Sequence, residues 1–261
     1  MSQLVFGSAI NYTAADVLPF VTSLRKHYDG KTVLLTSQTP DASLANLCIK
    51  FGIDFFHIPE DLNPIGRIVY KRFSFYKDFS SGPLFAGIDR FFLTDVRDVV
   101  FQRSPFSLPL HTDLEFFLEP AEFDECPVNK TWIAERYGWG VARQFRKKKI
   151  ICAGTIRCTL SGLHNVCTKI SSTAEHFLAR GIWPNDQAIL NHLVYTDQLF
   201  NFRILETGEG TVSTMHHQTH MLFNQNGELC NRDGSVTPVV HQWDRTGPLA
   251  RVFQQMAETL L

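Results

Sequence analysis

Between Leu4 and Ile58, short apolar runs alternate with segments of helical period, and this restricts the fold more than any other feature of the chain. Leu4-Val5-Phe6 reads as a strand. Thr13 and Asp16 then stand in capping-box positions ahead of Val17, Phe20, Val21 and Leu24 at i, i+3, i+4 and i+7. Val33-Leu34-Leu35 supplies a second strand. After it, Thr39 and Pro40 suit the N-cap and N1 positions, Leu44, Leu47, Cys48 and Phe51 repeat the helical spacing, and Gly52 closes the segment. Ile53 to Ile58 is a third strand. Strands alternating with helices of this length imply βαβ units, hence an α/β fold with a largely parallel sheet, whose ligands bind beyond the carboxyl ends of the strands.

The 261 residues, 44% of them hydrophobic, can bury a sizeable core, and one domain accommodates them. A net charge of -1 gives no general electrostatic reason to bind nucleic acid or an anionic membrane. The six cysteines form neither a C-x-x-C pair nor a dense disulfide or zinc pattern. Met1 to Ile10 lacks the charge and apolar pattern of a signal peptide, and no apolar run reaches membrane-spanning length. Reduced thiols in a cytoplasmic protein are the expectation, and the acceptor triplet Asn129-Lys130-Thr131 then carries little meaning. No G-x-G-x-x-G follows the first strand, which argues against a nicotinamide dehydrogenase.

The stretch FFLTDVRDVVF, from Phe91 to Phe101, has two aspartates and an arginine inside an apolar run. Ionised carboxylates in such a setting need compensation. Where the chain leaves a strand at Phe91 to Thr94, Asp95 and Asp98 either converge on a divalent cation or make a turn paired with Arg97. The segment Pro64 to Phe79 places Ile65, Ile68, Val69 and Arg72 on one helical stripe, so Arg72 points inward and needs an anion: a sheet aspartate or a ligand phosphate. Further along, Ile150 to Ile156 reads as a strand, a helix starts near Asn185 with Asn185 or Asp186 as its cap, and Asn224 to Gly234 suggests a hairpin. Leu249, Val252, Phe253, Met256 and Leu260 form a terminal apolar stripe suited to docking on the core. His241 is either a hydrogen-bonded histidine at a strand end or a metal ligand. His216, His217 and His220 read as a loop, with i, i+4 chelation as the alternative, and Arg146 to Lys149 as a solvated helix end.

The order of these elements and four short patches resemble the GT-A nucleotide-sugar glycosyltransferases, in particular the family 8 group that includes glycogenin and bacterial galactosyltransferases. The patches are Leu4 to Tyr12, Tyr70-Lys71-Arg72, Asp95 to Asp98 and Asn185 to Asn191, with weaker matches at Cys152-Ala153-Gly154 and at His241. The resemblance implies a single GT-A-like, Rossmann-type α/β/α domain over residues 1–261, with a nucleotide-binding half to about 105 and an acceptor and catalytic half from about 106. It further implies that Asn11, Tyr12, Arg72, Asp95 and Gly154 contact the donor, that Asp95, Asp98 and His241 hold Mn2+ or Mg2+, and that Asp186 and Gln187 line the reacting sugar carbon. The expected reaction moves a sugar from a nucleoside diphosphate sugar, with UDP as the expected nucleotide, to a glycan, lipid-linked or protein acceptor, with retention of anomeric configuration. The chain departs from the family at Ala9, at D-x-x-D in place of D-x-D, at Cys152 and after His241. Two other classes remain open, a metal-dependent phosphohydrolase and a non-catalytic sugar-nucleotide-binding protein.

Overall fold

The computed structural model describes residues 2–37, 39–58, 65–218 and 220–245, and only the backbone at 65–68 and 84. Strands β1 (Ser2–Ser8), β2 (Lys31–Thr36), β3 (Asp54–His57) and β4 (Ile88–Asp95) run parallel. With β6 (Leu114–Glu122), β7 (Lys149–Thr159) and β8 (Phe202–Leu205) they form a seven-stranded sheet of order β3-β2-β1-β4-β7-β6-β8. Within it, β7 is antiparallel to both neighbours, whereas β6 and β8 are parallel.

Successive residues of a strand point to opposite faces, so a wholly apolar strand needs cover on both sides. Leu4 and Phe6 of β1 pack in one core with residues of α3 (Ile65–Ser80), α5 (Leu160–Ala179) and α6 (Asp186–Tyr195). Val5 joins the other core, with Val17, Phe20, Val21 and Leu24 of α1 (Ala14–His27) and Leu44, Leu47 and Cys48 of α2 (Ala42–Lys50). The outcome is a three-layer α/β/α arrangement. Aromatic pairs fasten the layers: Phe6 lies 4.5 Å from Tyr76, and Phe20 meets Phe101 edge-on at 5.2 Å.

A three-stranded sheet, β5 (Val99–Phe101), β12 (Val239–His241) and β9 (Val212–Thr214), packs on the α1 side, with Phe101, Val212 and Val239 in the same core as Phe20. Beyond it, β10 (Leu222–Phe223) and β11 (Leu229–Cys230) make the expected hairpin across Asn224 to Glu228. Helix α4 (Pro127–Phe145) buries Ile133, Ala142 and Phe145 against Phe123 and Ile150.

The capping box at Thr13 and Asp16 is present. The start of α2 differs from expectation: Asp41, not Thr39, is the N-cap, because its carboxylate accepts from the Ser43 and Leu44 amides, making a stronger cap than a hydroxyl two residues earlier. Arg146 to Lys148 links α4 to β7, which begins at Lys149, and Lys147 and Lys149 pair with Glu122 and Glu206. The six cysteines are free and buried, and no helix of the described residues is long and apolar enough to cross a membrane. The terminal stripe from Leu249 to Leu260, and the side chains of Ile65 and Ile68, lie outside the described residues.

Candidate functional site

The site begins where β4 ends. Asp95 is its last residue, Val96 and Arg97 turn the chain, and Asp98 leads directly into β5. Antiparallel pairing of β5 with β12 sets His241 opposite Val99, and the Gln242 amide donates to the Asp98 carbonyl at 2.7 Å. Register alone therefore delivers a histidine from far along the chain to the two aspartates. His241 Nε2 lies 3.5 Å from Asp98 Oδ1 and 3.7 Å from Asp95 Oδ2, too far for hydrogen bonds. One ligand atom from each of the three residues falls within 4.8 Å of the others.

The residues fit a divalent cation on two counts. His241 Nε2 is buried with no hydrogen-bond partner among the described residues. Neighbouring ligands of an octahedral cation stand about 3 Å apart, so small inward movements would close the group on an ion. The floor beneath is Gly154 of β7, where an added Cβ would lie 2.5 Å from Asp95 Oδ2 and 2.6 Å from His241 Cε1. Gly154→Ala is expected to weaken Mn2+ binding at least tenfold by displacing both side chains, read by calorimetric titration, and to cost about 1–3 kcal/mol of stability because the added methyl overpacks a buried position.

Burial opposes charge on His241, but Cys152, Asp98 and Asp95 outweigh it and hold the imidazole well above its usual range. The Cys152 thiol, 3.5 Å from His241 Nδ1, is itself pushed up by burial, so at neutral pH the aspartates carry this effect. A metal takes the neutral imidazole, so binding must expel that proton. Mn2+ affinity should rise about tenfold per pH unit below the imidazole's raised pKa, with one proton released, and a flat profile from pH 6 to 8 would remove His241 from the ligand set.

Arg72 of α3 sits behind the acids. Its terminal nitrogens reach Asp95 and, at 2.8 Å, Asp186 Oδ2, with the Ala153 carbonyl at 3.3 Å. Of the two anions open to Arg72 in the sequence, the structure shows the carboxylate. Burial acts against ionisation of both acids. At Asp95, Arg72 and His241 reverse it and hold the carboxyl well below the usual range; at Asp186, burial wins over Arg72 and raises it. Asn185 caps α6 through the Ala188 amide, which leaves the Asp186 side chain for Arg72. Arg97 pairs with Asp244 at 3.0 Å, not with its neighbouring aspartates.

Arg72, Asp95, Arg97, Asp98 and Asp186 line one cleft of about 590 Å³, which also takes in Asn11, Tyr12, Gly154 and Gln187, with His241 buried behind the two aspartates. That size suits a small-molecule ligand. Asn11, at φ 60°, is held to Ser37 at 3.0 Å and so presents Tyr12 at the exit of β1. Neither a protein-family model nor a curated protein matches the chain.

The structure adds residues that the sequence did not single out. Glu119 of β6 is only 2% exposed, and burial raises its carboxyl although His241 and the Gln187 amide oppose this. Gln187 Nε2 bridges Glu119 Oε1 at 3.1 Å and Asn129 Oδ1 at 2.7 Å. Asn129 is thus a buried cleft residue and not an exposed glycan acceptor. Glu119 carries the same signal as Asp95, an acid within an apolar run. The three histidines do not form a chelating helix: His216 and His217 occupy a turn with rings 3.7 Å apart, and His220 is exposed. Burial, His217 and Arg245 push His216 down to about 4, so it faces the cleft as a neutral imidazole.

Proposed function

We propose that the chain is a metal-assisted glycosyltransferase of GT-A type that transfers a sugar from a nucleoside diphosphate sugar, with UDP the first candidate and retention of configuration expected. The observation that carries this reading is the convergence of Asp95 and Asp98, which line a ligand-sized cleft, with the buried His241 beside them, at the carboxyl end of a parallel strand next to the exit of β1. Ligands of α/β sheets bind at that end. Two carboxylates and one imidazole suit Mn2+ better than Mg2+, which prefers an all-oxygen shell. Bound there, the cation would supply Lewis-acid stabilisation of the departing diphosphate.

The chain's own residues have separable tasks in this reading. Tyr12 offers a ring for stacking against a base at the cleft mouth, steadied by the Asn11–Ser37 bonds. Arg72 fixes Asp95 and Asp186 in position and compensates their charge. Gln187, held by Glu119 and Asn129 and accepting from the Ala153 amide at 3.2 Å, presents a fixed amide beside Asp186 where the sugar would lie. Free, buried thiols agree with a cytoplasmic setting.

Thermal-shift titration with UDP, GDP, CMP and dTDP sugars, with and without Mn2+, tests the proposal. A metal-dependent rise for one nucleotide, followed by release of its diphosphate with an acceptor saccharide, is the expected result. Hydrolysis of simple phosphoesters without sugar transfer would replace the proposal with a phosphohydrolase, and binding without turnover would make the protein a sugar-nucleotide binder.

A further inference from the structure

The extra residue that makes this motif D-x-x-D has a defined place. Val96 tucks inward over Gly7, where a Cβ would stand 2.6 Å from Val96 Cγ1. The next side chain, Arg97, turns out onto the cleft wall and is 45% exposed. Asp244 at 3.0 Å orients it, and Tyr12 lines the same wall. A guanidinium carries five N–H donors in a planar fork, so this pairing aims the group without exhausting it. Arg245 lies on the same wall, 40% exposed and 3.5 Å from Asp98 Oδ2. Arg72, in contrast, is 10% exposed, with both terminal nitrogens committed to Asp95 and Asp186.

With a divalent cation on the two aspartates, the positive side chains still facing the cleft are, among the described residues lining it, Arg97 and Arg245. A diphosphate diester carries two negative charges and presents oxygens that a guanidinium fork matches. We propose that Arg97, backed by Arg245, grips the diphosphate of the bound nucleotide, in the role that the family resemblance gives to Arg72; the inference rests on reading the cleft as a nucleotide-sugar site. The motif thus holds on one turn both the acids for the metal and the cation for the anion it accompanies.

Inorganic pyrophosphate with saturating Mn2+, titrated calorimetrically into the full chain, tests this without knowledge of base or sugar. Arg97→Gln should weaken pyrophosphate binding about ten- to a hundredfold, and Arg97→Lys should fall between, keeping the charge but losing the fork. Mn2+ alone should bind Arg97→Gln at least as tightly as the parent, because a neighbouring positive charge has gone. Arg232→Gln, the same charge change at a surface pair with Glu209 outside this cleft, should leave pyrophosphate binding unchanged. Pyrophosphate affinity within about twofold of the parent in Arg97→Gln, a loss of Mn2+ binding in that variant, or no pyrophosphate binding by the parent would each overturn the inference. If Arg97→Gln loses pyrophosphate as expected but the parent consumes no sugar nucleotide, the inference stands and the glycosyl-transfer reading fails.

Discussion

Asp98→Asn is expected to abolish metal-dependent turnover, lowering it by about 10²- to 10³-fold, and to remove measurable Mn2+ binding at micromolar metal. The side chain is 6% exposed and faces His241 Nε2 at 3.5 Å, so its oxygen has a defined place in the ligand set. Asparagine keeps the shape and one oxygen but removes the negative charge, and a hard cation loses most of its attraction to a neutral amide. The fold should survive. The backbone contact of residue 98, whose carbonyl accepts from the Gln242 amide, is kept, but the substitution removes a negative charge that faces the His241 imidazole and Arg245 in the metal-free protein, so a modest loss of stability is expected. Cooperative unfolding with a midpoint only modestly below the parent's, together with lost Mn2+ binding, would separate a ligand role from a folding role. Turnover equal to the parent's would take Asp98 out of the metal group.

The parallel half of the fold was readable because its signals are local. Val17 to Leu24 and Leu44 to Cys48 bury the faces that their spacing predicts, and the strand at Phe91 to Thr94 ends at the aspartate that marks the site. The α2 cap was misplaced because Thr39-Pro40 and Asp41 offer overlapping start signals, and only geometry shows whose oxygen reaches the free amides. Pairwise relations were a different matter. Arg72 could be read as inward, but whether it meets a carboxylate or a phosphate depends on where β4 and α6 bring Asp95 and Asp186. A turn paired with Arg97 was one of two readings of its motif; the partner Arg97 takes, Asp244, arrives with the segment after β12, which pairs with β5.

β6 shows the same limit within a single strand. LEFFLEPAE reads as apolar with acids scattered through it, yet Glu115 and Glu119, four residues apart, lie on one face and are both buried. One sits in the cleft beside Gln187, and the other is clamped by two arginines. Nothing in the strand itself distinguishes them, because the difference lies in what β7 and β8 present at each level. Cys152 is a similar case: its identity was seen as a departure from a family pattern, while its contact with His241 Nδ1 depends on the meeting of two sheets.

Glu115→Gln is expected to destabilise the fold strongly. Glu115 is fully buried; Arg157, 1% exposed, meets its Oε2 at 2.8 Å, and Arg203 meets its Oε1 at 2.6 Å. Thr211 and the Leu108 carbonyl complete the shell around Arg157. Removing the carboxylate's charge leaves Arg157 buried with neutral acceptors only, a situation that costs about 3–5 kcal/mol, against about 5–15 kcal/mol for a whole domain. For a chain of this size the thermal midpoint should fall by roughly 6–20 °C. Arg203 is one-third exposed and can turn its charge to water, so the damage centres on Arg157. It follows that Glu115→Leu combined with Arg157→Met, which strands no buried cation there, should be less destabilised than Glu115→Gln alone; the reverse order in thermal melts would mean that the pair's attraction exceeds its desolvation cost. Because the triad and the metal group occupy different levels of the sheet, folded Glu115→Gln should still bind Mn2+ with parental affinity, the opposite pattern to Asp98→Asn.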